Sequence, residues 1–196
     1  MKQERTLSIE GKEYTLLISD EPQALLEAKA SGRAVLGCLD TGNGEGASRD
    51  FQGIPYVVPS MEYVTEELLE LILRRYLGLP WLIDETERLY IREFVKEDAE
   101  NIPEEEYGKE EEIFRDPDKL EVYIKNQYGF YEYGTWAVLK KSPSLLIGMA
   151  GVSNPNLPET ALQALPTLSD DLCWLELGYH IFKPYRKNGY ATEAAK

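Results

Sequence analysis

Arg186, Lys187, Gly189 and Ala191 fall in one short run near the end of the sequence, and together they have the chemistry of an anion cradle. Gly189 permits a tight or left-handed turn, Ala191 is small enough for close approach, and residues from Tyr190 onward have helical composition. Such a turn aims several backbone N–H groups at an anion, and the dipole of the following helix adds partial positive charge. Arg186 and Lys187 place formal charge at the same corner. On these residues alone, an ordinary strand-to-helix connection with surface cations is the favoured description, because short glycine motifs recur by chance.

The elements that must position this turn lie immediately before it. Residues 171–182 read D-L-C-W-L-E-L-G-Y-H-I-F, a β-rich run that ends at Lys183-Pro184, where proline lacks a ladder donor. One face would carry Cys173, Leu175, Leu177, Tyr179 and Ile181, and the other Glu176, Gly178 and His180. Strand, short loop, glycine turn and helix follow in the order an anion site needs.

The run L-E-L-G-Y-H-I-F-K-P-Y-R-K-N-G-Y-A-T-E-A resembles the central strand and acetyl-CoA motif of the GNAT superfamily of N-acetyltransferases, in particular its ribosomal-protein-acetylating branch. The family pattern is Arg or Gln, two residues, Gly, one residue, then Gly or Ala. Arg186, Gly189 and Ala191 occupy those places. Working backward, residues 87–94 alternate like the family's first strand, and residues 95–102 begin a polar, helix-prone segment. A helix is expected from 117 to about 128, then strands at 133–139 and 145–152 joined by a turn at 140–144 that contains Pro143. Residues 154–170, with three prolines, read as an irregular excursion. The resemblance spans residues 84–196.

The resemblance implies acetyl transfer from acetyl-CoA to a primary amine, either a small molecule or a peptide. It implies that Ile181, Phe182, Arg186, Lys187, Asn188, Gly189, Tyr190, Ala191 and Thr192 contact the cosubstrate. The amine must lose a proton before it attacks, and Glu176 is the candidate base; a backbone N–H of the central strand would steady the thioester oxygen. A glutamate in that position also serves as a solvated or ion-paired residue. His180 is the only histidine and is expected to be structural, and no His/Cys cluster has metal-ligand spacing. The family's fold continues beyond the residues matched here, through the rest of the cofactor helix and further strands, one of whose helices commonly supplies a tyrosine acid. The expectation is therefore an inactive fragment of an acetyltransferase, with its last strand at an exposed sheet edge that promotes self-association.

The first 80 residues differ in character. Strands are expected at 14–19, 34–38 and 54–58, with helices at 22–30 and 65–77, a pattern that favours a small parallel sheet. Gly78-Leu79-Pro80 marks the boundary. The fold class expected is thus α/β: a small parallel three-stranded α/β domain over residues 1–80, then an incomplete GNAT mixed α/β sheet domain over 84–196. I-S-D-E-P-Q-A-L-L-E-A-K-A-S-G-R-A-V-L-G resembles the last acidic motif of haloacid-dehalogenase-like domains and the elements after it. That family's second acid is absent, Ala24 and Leu25 standing there, and no upstream Asp-x-Asp exists. A degenerate, noncatalytic relative is implied, with Asp20 expected to cap the helix that follows. The loop 40–46 lacks a Gly-Lys-Ser/Thr ending and reads as a polar connection.

With 196 residues, of which 43% are hydrophobic, the chain can build two small cores. A net charge of −14 argues against nonspecific nucleic-acid binding, which requires cations to neutralise phosphates. Acid concentrated over 97–112 would steer a cationic acceptor, or simply solvate a surface. Two cysteines form no framework, and neither a signal peptide nor a long apolar span is present, so a cytoplasmic protein without membrane partners is expected. Three functions compete: an N-acetyltransferase, a haloacid-dehalogenase-type hydrolase, and a noncatalytic ligand- or partner-binding protein built of two incomplete enzyme folds.

Overall fold

The structure, a computed structural model, describes residues 1–40, 50–104, 109–162, 164–166, 169 and 172–196. The chain divides into two compact units, Met1–Leu79 and Pro80–Lys196.

In the first unit, β1 (Lys2–Ile9), β2 (Lys12–Ser19), β3 (Ala34–Asp40) and β4 (Val57–Ser60) form one sheet in that order. The three parallel strands expected from the sequence are β2, β3 and β4, and β1 adds an antiparallel edge strand. Its sequence, K-Q-E-R-T-L-S-I, is largely polar and only Ile9 is fully buried, so hydrophobic alternation gives little signal there. The helices α1 (Pro22–Ala30) and α2 (Glu66–Leu77) follow β2 and β4 respectively. Thr65 caps α2 by accepting a hydrogen bond from Leu68 N at 3.1 Å. Leu69, Ile72 and Leu73 of α2 pack with Leu16, Ile18 and Leu36 on one sheet face, while Leu25 and Ala28 of α1 pack with Leu17 and Val35 on the other.

Asp20 does not cap α1. The N-cap is Glu21, without a side-chain bond, and Asp20 is buried and ion-paired with the Met1 ammonium. A carboxylate removed from water needs a cationic partner, and the β1–β2 register delivers one. The loop 40–46 lies, from residue 41, outside the described residues.

In the second unit, β5 (Leu82–Glu85), β6 (Leu89–Arg92), β7 (Thr135–Lys140), β8 (Leu145–Ser153) and β9 (Glu176–Ile181) form an antiparallel sheet in sequence order. Helices α3 (Pro117–Tyr123), α4 (Gly129–Tyr131), α5 (Glu159–Leu162) and α6 (Tyr190–Ala194) accompany it. Several elements depart from expectation. The strand β5 is additional, β6 is shorter than the alternating run, and residues 96–101 form a 3-10 turn in place of a helix start. That turn is held by Asp98, whose carboxylate accepts from both Arg92 Nη atoms at 2.7 and 2.9 Å and from Val95 N at 2.8 Å. Three donors on one buried acid stabilise the tight turn locally.

The strand β8 is buried along most of its length and carries the core on both faces. Its pairing with β7 slips between Val138 and Leu139, a bulge that gives β8 an extra residue and reverses its alternation. Leu146 and Met149 consequently share one core with Phe94, Phe114, Leu120 and Phe182, while Ile147 and Ala150 share the other with Leu89, Ile181 and Tyr190. Tyr128 closes the first core: it accepts from Phe94 N at 3.2 Å and donates to Thr135 O. Burial pushes its phenol pKa up, so it remains a donor at any ordinary pH.

Pairing of β8 with β9 runs without a slip from Gly148↔Ile181 to Ser153↔Glu176. A Cβ on Gly148 would overlap the His180 carbonyl and lie 2.9 Å from Ile181 Cα. Both atoms are backbone, so neither can swing away. Gly148→Ala is expected to destabilise the second unit by about 1–3 kcal/mol, as overpacking does, read as a lower urea midpoint. An unchanged midpoint would contradict this close approach.

Candidate functional site

The turn after β9 takes the geometry that its glycine requires. Gly189 has φ 80° and ψ 2° at the N-terminus of α6, a left-handed conformation that strains other residues. Lys187 also sits in the left-handed region, at φ 63°. Asn188, between them, donates its side-chain amide to Tyr185 O at 3.1 Å and to Arg186 O at 3.0 Å. The asparagine thus ties the turn to itself. Among the described residues, no backbone acceptor lies opposite the N–H groups of Lys187 to Thr192 outside α6 itself.

The turn lines an open cleft of about 440 Å³ through Arg186, Lys187 and residues 189–192, together with Tyr179, His180, Ile181 and Tyr185. Of the nine residues proposed to contact a cofactor, Ile181, Arg186, Lys187, Gly189, Tyr190, Ala191 and Thr192 line it. Asn188 braces the turn, and the Phe182 side chain is buried in the opposite core. At the strand end, Arg186 Nε donates to Ile181 O at 2.7 Å, and Nη2 lies 3.2 Å from His180 Nε2. His180 and Arg186 thus meet at the end of β9 that borders the turn.

Glu176 stands at the other end of β9. Five residues separate it from Ile181, about 16 Å at the usual rise of about 3.3 Å per residue. It is exposed, pairs across to Ser153, and accepts from Asn156 N at 3.3 Å. The unbroken register leaves Glu176, Gly178 and His180 on the Met149 side and Leu177, Tyr179 and Ile181 on the Ala150 side, as the sequence alternation implied. The bulge lies in β8, not here. Among the described residues no strand pairs the outer edge of β9, and Leu177 and Tyr179 are 50% and 59% exposed.

Sequence reasoning did not find Thr86, Arg88 and Glu193. The Glu193 carboxylate accepts from Thr86 Oγ1 at 2.6 Å, from Arg88 N at 2.9 Å and from Arg88 Nε at 2.7 Å. Arg88 Nη1 donates to Asn188 O at 3.0 Å, and its guanidinium stacks over the Tyr190 ring at 4.5 Å. Arg88 and Glu193 are ordinary surface residues in sequence, and only the fold brings them together.

The cleft can hold a phosphorylated cofactor: N–H groups without a backbone acceptor among the described residues, two adjacent cations and a glycine-dependent turn share one open surface. A family model described as "Acetyltransferase (GNAT) domain" matches residues 88–196. No curated protein matches the chain.

Partial burial pulls the Glu193 carboxyl upward, but hydrogen bonds from Thr86 and Arg88 and the Arg88 charge outweigh it and hold the group below the usual carboxylate range. A depressed folded value means that this group stabilises the fold above its ordinary value of 4.5, and that the contribution disappears as pH falls through the lower folded value. Melting curves should shift down on acidification below pH 4.5, with a shallower shift in Glu193→Ala. Parallel profiles would contradict the assignment.

Proposed function

The chain belongs to the GNAT acetyltransferase family, and from that premise we propose that it serves transfer of an acetyl group from acetyl-CoA to a primary amine. The observation that carries this reading is the Arg186–Thr192 turn, where two cations adjoin N–H groups, from Lys187 to Thr192, that have no backbone acceptor among the described residues outside α6, an arrangement that suits a diphosphate. Arg186 and Lys187 would hold its charge, Gly189 and Ala191 would allow the backbone close to it, and Ile181 would flank the arm that leads away along β9. Acetyl-CoA supplies the activated acetyl thioester when bound. The chain's own task is to accept the proton of an ammonium acceptor, and the exposed Glu176 carboxylate is the group on β9 suited to it.

Within the family we place the chain beside the ribosomal-protein-acetylating branch, on the strength of E-L-G-Y before the turn and Y-A-T-E-A within it. The amine acceptor, small molecule or peptide, would approach the Glu176 end. We read the first unit as a noncatalytic relative of haloacid-dehalogenase-like domains, since Asp20 is occupied by the Met1 ammonium. No helix among the described residues is long and apolar enough to cross a membrane. We place the chain in the cytoplasm, on the strength of its sequence, in which two cysteines form no disulfide framework.

Calorimetric titration of the chain with acetyl-CoA tests the reading. Saturable binding, weakened about tenfold or more by Arg186→Ala, is expected, a factor that corresponds to about 1.4 kcal/mol. No binding, or binding indifferent to Arg186, would contradict it and leave the noncatalytic alternative. Because no strand among the described residues covers the outer side of β9, the chain is expected to bind acetyl-CoA without robust turnover. Release of CoA thiol across a panel of peptide and polyamine amines would overturn that expectation.

The uncovered edge supports self-association. Sedimentation at rising concentration should show a mass increase, which Leu177→Lys on that strand reduces. A monomer at every concentration would count against it.

A further inference from the structure

We propose that Arg88, held by Glu193, is a positioning residue that sets the conformation of the diphosphate-binding turn. The inference rests on the acetyl-CoA reading above and extends it to a residue that lines no part of the cleft. Arg88 precedes β6, and 105 residues separate it from Glu193. Its guanidinium is engaged within the fold at all three nitrogens. Nε and Nη2 fork onto the Glu193 carboxylate, Nη1 holds Asn188 O at 3.0 Å, and the plane covers the Tyr190 ring. Glu193 is equally committed, since its other oxygen takes Thr86 Oγ1 and Arg88 N.

The Asn188 carbonyl is the informative contact. It belongs to the peptide that joins Asn188 to Gly189, between the two left-handed residues Lys187 and Gly189. In a planar trans peptide the C=O and the N–H point in opposite directions. Anchoring Asn188 O on Arg88 therefore turns Gly189 N–H away from Arg88. Arg88 also lies close beneath the turn, with Nη2 3.5 Å from where a Gly189 Cβ would stand. The Glu193 charge cancels that of Arg88, so the long-range attraction for phosphate comes from Arg186 and Lys187, and Arg88 contributes geometry.

This distinction fixes the sign of the test. Calorimetry compares CoA with S-acetyl-pantetheine, which lacks the diphosphate, on the unmutated chain, Arg88→Met and Glu193→Ala. Both variants are expected to bind CoA about tenfold more weakly and S-acetyl-pantetheine as the unmutated chain does. Equal loss for both ligands would reveal general unfolding in place of positioning and overturn the proposal, as would unchanged CoA affinity. Tighter CoA binding by Glu193→Ala would overturn it too, because a freed Arg88 charge would then be the ligand. If Arg88→Met does not fold, Arg88→Lys, which keeps the charge and loses the fork, carries the same comparison. Failure of the unmutated chain to bind CoA would overturn the acetyl-CoA reading by itself. The clamp is then judged by amide exchange at residues 187–191, expected to accelerate about tenfold in the Arg88 variant; unchanged exchange there would overturn it.

Discussion

Close backbone approach between β8 and β9 is the constraint on which the second unit's site depends. Gly148 lets β9 lie against β8 where a methyl group would collide with backbone, and the register then holds without a slip to Ser153↔Glu176. That ladder fixes both ends of β9 at once. At one end it presents Glu176 beside Asn156 N, and at the other it delivers Ile181 O to Arg186 and releases the chain into the left-handed turn. The bulge opposite Val138 and Leu139 matters for the same reason, because it allows β8 to supply Leu146 and Met149 to one core and Ile147 and Ala150 to the other. A strand buried on both faces cannot shift register without exposing one of them.

The turn itself is held from two directions. Arg186 is bound backward to the strand end, while Arg88 and Glu193 bind it sideways to the residues before β6. The Arg88–Glu193 pair is only partly exposed, with side-chain accessibilities of 43% and 17%, and has hydrogen bonds on both carboxylate oxygens. Such a pair is worth more than an isolated surface ion pair, whose net contribution is about 0–1 kcal/mol. Lys187 and Gly189 can then both remain left-handed, a local strain that the surrounding bonds overdetermine.

Much of this was legible in the sequence because the relevant signals are local. The spacing of Arg186, Gly189 and Ala191, the β-rich run before them and the two apolar runs of β7 and β8 specify the order of elements, and residues 22–30 carry their own helix signals. What was not legible is set by tertiary partners. β1 is a polar strand recruited by pairing, β5 is four residues long, and the 3-10 turn at 96–101 forms because Asp98 gathers three donors. Asp20 looked like a helix cap, since proximity to a helix start is visible in sequence and a chain terminus brought alongside by β1 is not. Arg88 and Glu193 escaped for the same reason.

On the reading proposed above, the turn from Arg186 to Thr192 is the seat of the cosubstrate's diphosphate. Backbone amide chemical shifts, followed while 3′,5′-ADP and CoA are titrated into isotopically labelled chain, test it most directly. The largest shifts are expected at the amides of Lys187 to Thr192, saturating together, with little change in the first unit. Saturating shifts centred elsewhere in the chain, with the turn silent, would contradict it.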